Sequence, residues 1–398
     1  MDFSIESKEL TKKLSKEEKK NNGIYFTPPS IIAKMIKALF PYFKNITKVL
    51  EPSCGSGEFI QRLERFSKFN IDSIEFNDTV YQSIKTRFKS TILNVDFLSW
   101  NSPKKYDLII GNPPFYVMKK NEIKYNKYEH YYTGRPNIFV LFIAKSLELL
   151  ENNGLLAFVL PKNFMNCLYY DNLRKHISTN FKIIDVIECY EDKYLDTQQD
   201  TIVLIIQKQD SISNNSNFTI KINDYTIFNT PDVISQIKSC YQNTTTLKNM
   251  NFEVKVGNIV WNQVKDKLTN NENDTRLIYS SDIVNNKLSI KKYKNESKKN
   301  YITIPGKTDL LLVVNRGYGK GDYKFSYCLI DTKKSYLIEN HLICIKSVED
   351  ITKTNLRKKY KSIIKSLKSE KTKKFIKLYF GNNAINTTEL CEILPIYI

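Results

Sequence analysis

A chain of 398 residues is long enough for two or three domains, each with its own core, and its 41% hydrophobic and 12% aromatic content excludes a disordered one. Residues 1–245 carry 32 basic and 27 acidic side chains, a balance of +5, whereas residues 246–398 carry 29 and 15, a balance of +14. A general lysine bias would spread the net +19 evenly, so the basic C-terminal third points to a polyanionic partner.

Residues 1–22 read as a polar helix, an extension ahead of the first core. A second helix is expected to start at Thr27-Pro28-Pro29. Thr27 is suited to the N-cap, and proline fits the first turn, where a missing N–H costs nothing. Ile31, Ile32, Met35, Ile36 and Leu39 then share one face. Strand-like runs follow at 48–50, 72–76, 106–110, 154–160, 183–188 and 201–207, alternating with helical stretches. Runs such as Leu108-Ile109-Ile110 are apolar throughout, as strands covered on both faces are. The periodicity predicts a helix over 137–153, capped at its C-terminus by Gly154. Its apolar stretch is broken by Lys145 and is too short to cross a bilayer. The polar segment 209–217 leaves the sheet, and from about residue 246 the pattern changes to short strands, polar loops and lysine clusters. A basic helix is expected over 355–378. The fold class is α/β with a second, mixed α+β domain.

The seven cysteines are scattered without a Cys-x-x-Cys pair and read as free thiols in a reducing compartment. His130, His176 and His341 lack the spacing of metal ligands, so no metal site is expected. The charged N-terminus has no apolar core and is not a signal peptide, which makes an intracellular, cytoplasmic location the expectation.

Four features carry chemistry. Glu51-Pro52-Ser53-Cys54-Gly55-Ser56-Gly57 is a strand end, a tight turn and a helix start, the place where open α/β sheets bind nucleotides. Its acid disfavours a pyrophosphate and suits a ligand with an ammonium or sulfonium centre. Glu75 ends the next strand, where a carboxylate can accept from two ribose hydroxyls. Asp96-Phe97 follows, an acceptor for an adenine amino group beside a ring to cover its face. The sharpest signal is Asn112-Pro113-Pro114-Phe115. Two prolines fix two φ angles and remove two donors, and Asn112 is held extended. The rigid loop offers the Asn112 side-chain oxygen and the Pro113 carbonyl to a planar amino group, with Phe115 to stack on the ring. A plain proline turn after a buried strand is the competing reading of that loop taken alone.

In this order and spacing the chain resembles the amino-DNA methyltransferases of restriction–modification type, in the γ arrangement of the TaqI-like N6-adenine group. The resemblance covers residues 20–208, with weaker traces at 256–263 and 380–383. It implies a Rossmann-like sheet that binds S-adenosylmethionine at 23–245, a target-recognition domain at 246–398, and double-stranded DNA as substrate. Carried over, Thr27 contacts the methionine carboxylate, and Glu51, Ser53, Gly55 and Gly57 line the methionine. Glu75 holds the ribose, and Asp96 and Phe97 take the adenine. Asn112, Pro113, Pro114 and Phe115 handle a base rotated out of the duplex. The second aromatic on that base falls at Tyr194, with Tyr190 close by. Phe115 stands where the group more often has tyrosine, a change that stacking tolerates.

In the basic domain, Arg316 and Lys320 sit in a Gly-rich loop that could enter a groove, although a surface turn is nearly as good a reading. The lysine runs at 291–299 and 357–377 suit phosphates more than bases. The same Asn-Pro-Pro-aromatic loop serves RNA and protein-glutamine methylation, and cytosine N4 is a further option. The large basic domain favours DNA, and Asn at position 112 favours adenine by resemblance. The length leaves no room for a nuclease, so a cognate endonuclease would be a separate chain and the enzyme a monomer.

Overall fold

The computed structural model describes residues 2–119, 122, 126–209, 214–291, 293–315, 325–380 and 384–397. It divides into two compact units, Met1–Ile234 and Ser235–Ile398. The division falls eleven residues before the change in sequence pattern at 246.

In the first unit, β1 (Lys48–Glu51), β2 (Asn70–Ile74), β3 (Thr91–Leu93), β4 (Tyr106–Gly111), β5 (Leu150–Pro161), β6 (Phe181–Glu188) and β7 (Thr201–Lys208) form one sheet in the order β3-β2-β1-β4-β5-β7-β6. The first five strands run parallel, and β7 pairs antiparallel with both β5 and β6. The order reverses direction at β1, which leaves a crevice between the ends of β1 and β4. Alternate residues feed two cores. Leu108, Ile110, Ala157 and Val203 pack on one face of the sheet, while Ile109, Leu156, Phe158 and Leu204 pack on the other. Burial on both faces is why these strands are apolar throughout.

The helices of this unit are α1 (Ile5–Lys13), α2 (Lys16–Asn22), α3 (Pro29–Leu39), α4 (Glu58–Leu63), α5 (Asp78–Ile84), α6 (Ile138–Leu149) and α7 (Asp171–Asn180). The N-terminal stretch is two short helices, not one. Leu10 and Leu14 are buried with Phe26 and Val80, so the segment packs on the body. Pro28, not Thr27, holds the N-cap position of α3, and no side chain caps it. Pro28 already supplies the extended turn into the helix, which leaves Thr27 buried one residue too early. The helix expected to end at Gly154 stops at Leu149, and Leu150 begins β5. Gly154 is no cap: a Cβ there would lie 2.9 Å from the Tyr106 carbonyl oxygen on the neighbouring strand.

In the second unit, strands Phe252–Val256, Leu342–Ser347, Leu311–Asn315 and Tyr327–Ile330 form an antiparallel sheet in that order. A second four-stranded sheet joins 268–269, 301–302, 275–278 and 336–338. The expected terminal helix is two, Lys353–Leu367 and Glu370–Tyr379, because Ser369 caps a new start by accepting from the Thr372 N–H. This is the mixed α+β domain read from the sequence. The seven cysteines are free. Among the described residues no acidic, His or Cys cluster could hold a metal, and no helix is long and apolar enough to cross a membrane.

Candidate active site

A cavity of about 370 Å³ opens at the C-terminal ends of β1, β2 and β4. Its lining includes Tyr25, Ser53, Gly55, Glu75, Phe76, Asp96, Phe97, Asn112, Pro114 and Tyr116. The Gly loop, the two carboxylates and the proline loop therefore converge as their order in the chain predicts.

The Gly loop is held from both sides. The Cys54 N–H donates to the Ile74 carbonyl on β2, and the Gly55 N–H donates to Glu75 Oε2 at 2.9 Å. Gly55 and Gly57 have φ of 53° and 80°, in the left-handed region that favours glycine. At Gly57 a Cβ would also meet the Phe88 ring at 2.3 Å. Glu75 takes a second N–H, from Asn77 at 2.7 Å, yet burial still pushes its carboxyl up to about 7.

Glu51 stands apart. It is 1% exposed, and neither carboxylate oxygen has a partner. Burial first, then the nearby Glu75 and Glu58, push its pKa well above the usual carboxylate range. A buried carboxyl left open in this way fits a ligand that brings its own positive charge.

The turn carrying Asp96 and Phe97 depends on Lys145. The ammonium of this α6 residue donates to the Leu98 and Trp100 carbonyls and lies 5.1 Å over the Phe97 ring. Burial pulls its pKa down to about 8. In the sequence Lys145 only interrupts an apolar helix; in the fold it is the tie that fixes the turn.

In the proline loop, the Asn112 amide nitrogen donates to the Tyr25 carbonyl at 3.0 Å. This contact fixes which way the amide faces. The other end, Oδ1, is buried and without a partner. Ser53 Oγ donates to the Asn112 carbonyl at 3.1 Å, which joins the two loops. Phe115 is half-buried and packs edge-on against Phe139 at 6.0 Å. Gly23, the left-handed C-cap of α2, lies directly behind: a Cβ there would come within 2.7 Å of the Phe115 nitrogen and 2.9 Å of Pro114 Cβ.

The N-terminal segment thus supports both loops. At its other end, Glu58 Oε1 accepts from the Ser4 N–H at 2.9 Å and from Ser7 Oγ at 2.6 Å. Ser7 Oγ also meets Ser56 Oγ at 2.7 Å. Of these supports, Ser7 and Lys145 were not singled out from the sequence as contributors, whereas Gly23, Tyr25 and Glu58 fall within the segments 23–29 and 51–59 that carry the resemblance. Phe76, 67% exposed at the cavity, was also missed, although it directly follows Glu75.

Not every expected residue reaches the cavity. Thr27, Glu51, Gly57, Pro113 and Phe115 lie one or two positions from lining residues in the chain without lining it themselves. Tyr194 packs among the core residues on the α3 side of the sheet, and its hydroxyl donates to Thr201 Oγ1 at 3.3 Å. Tyr190 is 46% exposed and stacks under the Lys162 ammonium at 4.1 Å. Arg316 and Lys320 lie outside the described residues.

The Eco57I restriction-modification methylase family matches residues 32–195. The type II methyltransferase M.CvrRI of Paramecium bursaria Chlorella virus XZ-6E is 26% identical over 99% of both chains. The modification methylase CviBIII of Chlorella virus NC1A is 28% identical over 98% of this chain and 97% of its own. A solved structure, the cryoEM DrdV–DNA complex, shares the fold with a TM-score of 0.52 at 12% identity, covering 95% of this chain and 56% of that one. Residues 32–195 thus match the Eco57I-type methylase domain, and along nearly its whole length the chain is similar to type II methyltransferases, with S-adenosylmethionine as the cofactor.

Proposed function

We propose that the enzyme methylates the exocyclic N6 of an adenine rotated out of duplex DNA, in a sequence-specific manner. The observation that carries this reading is the Asn112 amide: its nitrogen is tied to Tyr25, and its buried oxygen is left open. A buried acceptor without a donor costs free energy unless a ligand supplies the N–H. An amino group on a planar ring supplies it.

S-adenosylmethionine supplies the methyl group. When it is bound, Glu51 would balance the positive charge of the donor, Glu75 would accept from its ribose hydroxyls, and Asp96 with Phe97 would receive its adenine. Ser53, Gly55 and Gly57 shape the turn around the methionine part, and Thr27 is assigned to the methionine carboxylate.

On the substrate side, Asn112 Oδ1 and the Pro113 carbonyl accept the two N6 hydrogens. An aromatic amine is a weak nucleophile because its lone pair is delocalised. Two acceptors placed out of the ring plane favour a pyramidal nitrogen and direct its lone pair at the methyl carbon. The nitrogen becomes acidic as it is alkylated, so no strong base is required. Pro114 keeps the loop rigid, and Phe115 covers one face of the base. Tyr194 is the expected cover for the other face, with Tyr190 as its rival. The basic second domain contacts phosphates and reads the site, with Arg316 and Lys320 as candidates. The enzyme acts as a monomer whose partner endonuclease is a separate chain.

The reading is tested by transfer of tritiated methyl groups to duplex DNA, followed by nucleoside analysis. Label in N6-methyl-2′-deoxyadenosine is the expected result. Label in N4-methylcytosine, or only in RNA or protein, refutes it.

A further inference from the structure

A second concavity lies on the first unit, away from the active site. Ala33, Ile36 and Phe40 at the end of α3, with Phe66 after α4, form its apolar floor, and Lys37, Arg62 and Arg65 stand at its rim around about 330 Å³. Phe40 is 63% exposed, an unusual position for so large an apolar ring. It is propped from behind: Phe40 packs on Phe43 at 5.9 Å, and Phe43 is held edge-on by Phe66 at 4.8 Å and Phe69 at 5.0 Å. The floor is therefore preformed.

Among the described residues no carboxylate lines this groove. Glu64, on the same turn as Arg62 and Arg65, is turned toward Ser90, whose N–H and hydroxyl both donate to it. The choice of cation is also telling. Only eight of the 61 basic residues in the chain are arginines, and two of them sit here, three positions apart. Arginine's planar fork pairs with carboxylates in a way lysine cannot match.

Topology separates the groove from the catalytic loops. α3 and α4 run from the cavity edge of the sheet back to the starts of β1 and β2, so Phe40, Arg62 and Arg65 lie at the N-terminal edge of the strands. The catalytic loops lie at the opposite edge. A molecule seated here leaves the cavity open.

We propose that this groove docks an acidic peptide segment of a partner protein. Carboxylates of that segment pair with Lys37 and Arg65, and an aromatic or aliphatic side chain covers Phe40. Exposed aromatics ringed by arginine are the usual anchors of protein contacts. A DNA backbone would satisfy the cations but leave Phe40, Ile36 and Phe66 with nothing to cover them.

The test is a random peptide library selected against the full chain, then against Phe40→Ser and the Lys37→Glu/Arg65→Glu double variant. All three substituted side chains are exposed, and none belongs to the catalytic machinery. Selected peptides are expected to carry acidic residues around an apolar one, and to bind each variant on the order of tenfold more weakly, with methyl transfer unchanged. Peptides that bind the variants as well as the wild type, or that show no excess of acidic residues, overturn the proposal. Weakened binding of non-specific duplex by the variants, with no peptide selected, assigns the surface to DNA and overturns it equally.

Discussion

Glu51→Gln is expected to stabilise the protein without its cofactor while damaging its ability to bind one. The Glu51 carboxyl is 1% exposed and unpartnered, and its pKa is held well above the ordinary value of 4.5. A carboxyl of this kind keeps its proton in the fold and releases it on unfolding. Rising pH therefore favours the unfolded chain, by about 1.4 kcal/mol per pH unit for each such group. The penalty from Glu51 grows as pH rises above the ordinary carboxylate range. Glu75, raised to about 7, adds a penalty of the same sign. Glutamine cannot ionise, and at position 51 it sacrifices no hydrogen bond, because the carboxylate accepts none. The variant should thus lose less stability than the wild type as pH rises, keeping only the Glu75 share of the slope. Denaturant unfolding at several pH values measures this directly. With saturating S-adenosylmethionine the order should reverse, since only the wild type can present a charge to the donor, and its affinity should rise with pH as Glu51 gives up its proton. A variant with the wild-type pH slope, or with undiminished cofactor affinity, would refute the reasoning.

Asn112→Ala removes the open acceptor and should abolish methyl transfer while cofactor binding, followed by calorimetry, stays nearly intact; retained turnover would remove Asn112 from the mechanism. Gly23→Ala forces a Cβ against the Phe115 nitrogen at 2.7 Å in a left-handed backbone. It should lower kcat on the order of a hundredfold, the scale of a small misplacement of a reacting group, with a smaller change in KM for the cofactor. Tyr190→Ala and Tyr194→Ala can be compared with 2-aminopurine at the target base. Whichever tyrosine stacks on the base should change the fluorescence on binding. Ala at Tyr194 should also cost stability, because that ring is packed in the core and the Tyr190 ring is not.

The central sheet was legible because its strands are buried on both faces, and a continuous apolar run bounded by polar turns suits little besides a covered strand. The ends of α6 and of the basic C-terminal helix were not legible. Asn152-Asn153-Gly154 carries the signature of a helix end, but the chain had already become a strand at Leu150, where pairing with Tyr106 on β4 wins over local preference. Through Lys368-Ser369 the amphipathic pattern runs on, and only the Ser369 cap marks the break. The site divides along the same line. Residues on one short motif, such as Glu51 to Gly57 or Asn112 to Phe115, announce themselves by their spacing. Those that orient them do so across long separations: Tyr25 reaches Asn112 over 87 positions, Ser7 reaches Glu58 over 51, and Lys145 reaches Leu98 over 47. No periodicity encodes such contacts.

The path of the first 27 residues has a practical consequence. One end is hydrogen-bonded to Glu58 beside the cofactor turn, and the other sets the Asn112 amide through Tyr25. This stretch resembles a disposable tail, yet it lies outside the sheet and braces both halves of the chemistry. An affinity tag fused directly ahead of Asp2, or a cloned gene begun at a later start codon, would act on catalysis rather than merely on yield. The same arrangement offers a handle for control: a protease site engineered between α1 and α2 would divide the brace while leaving every strand in place.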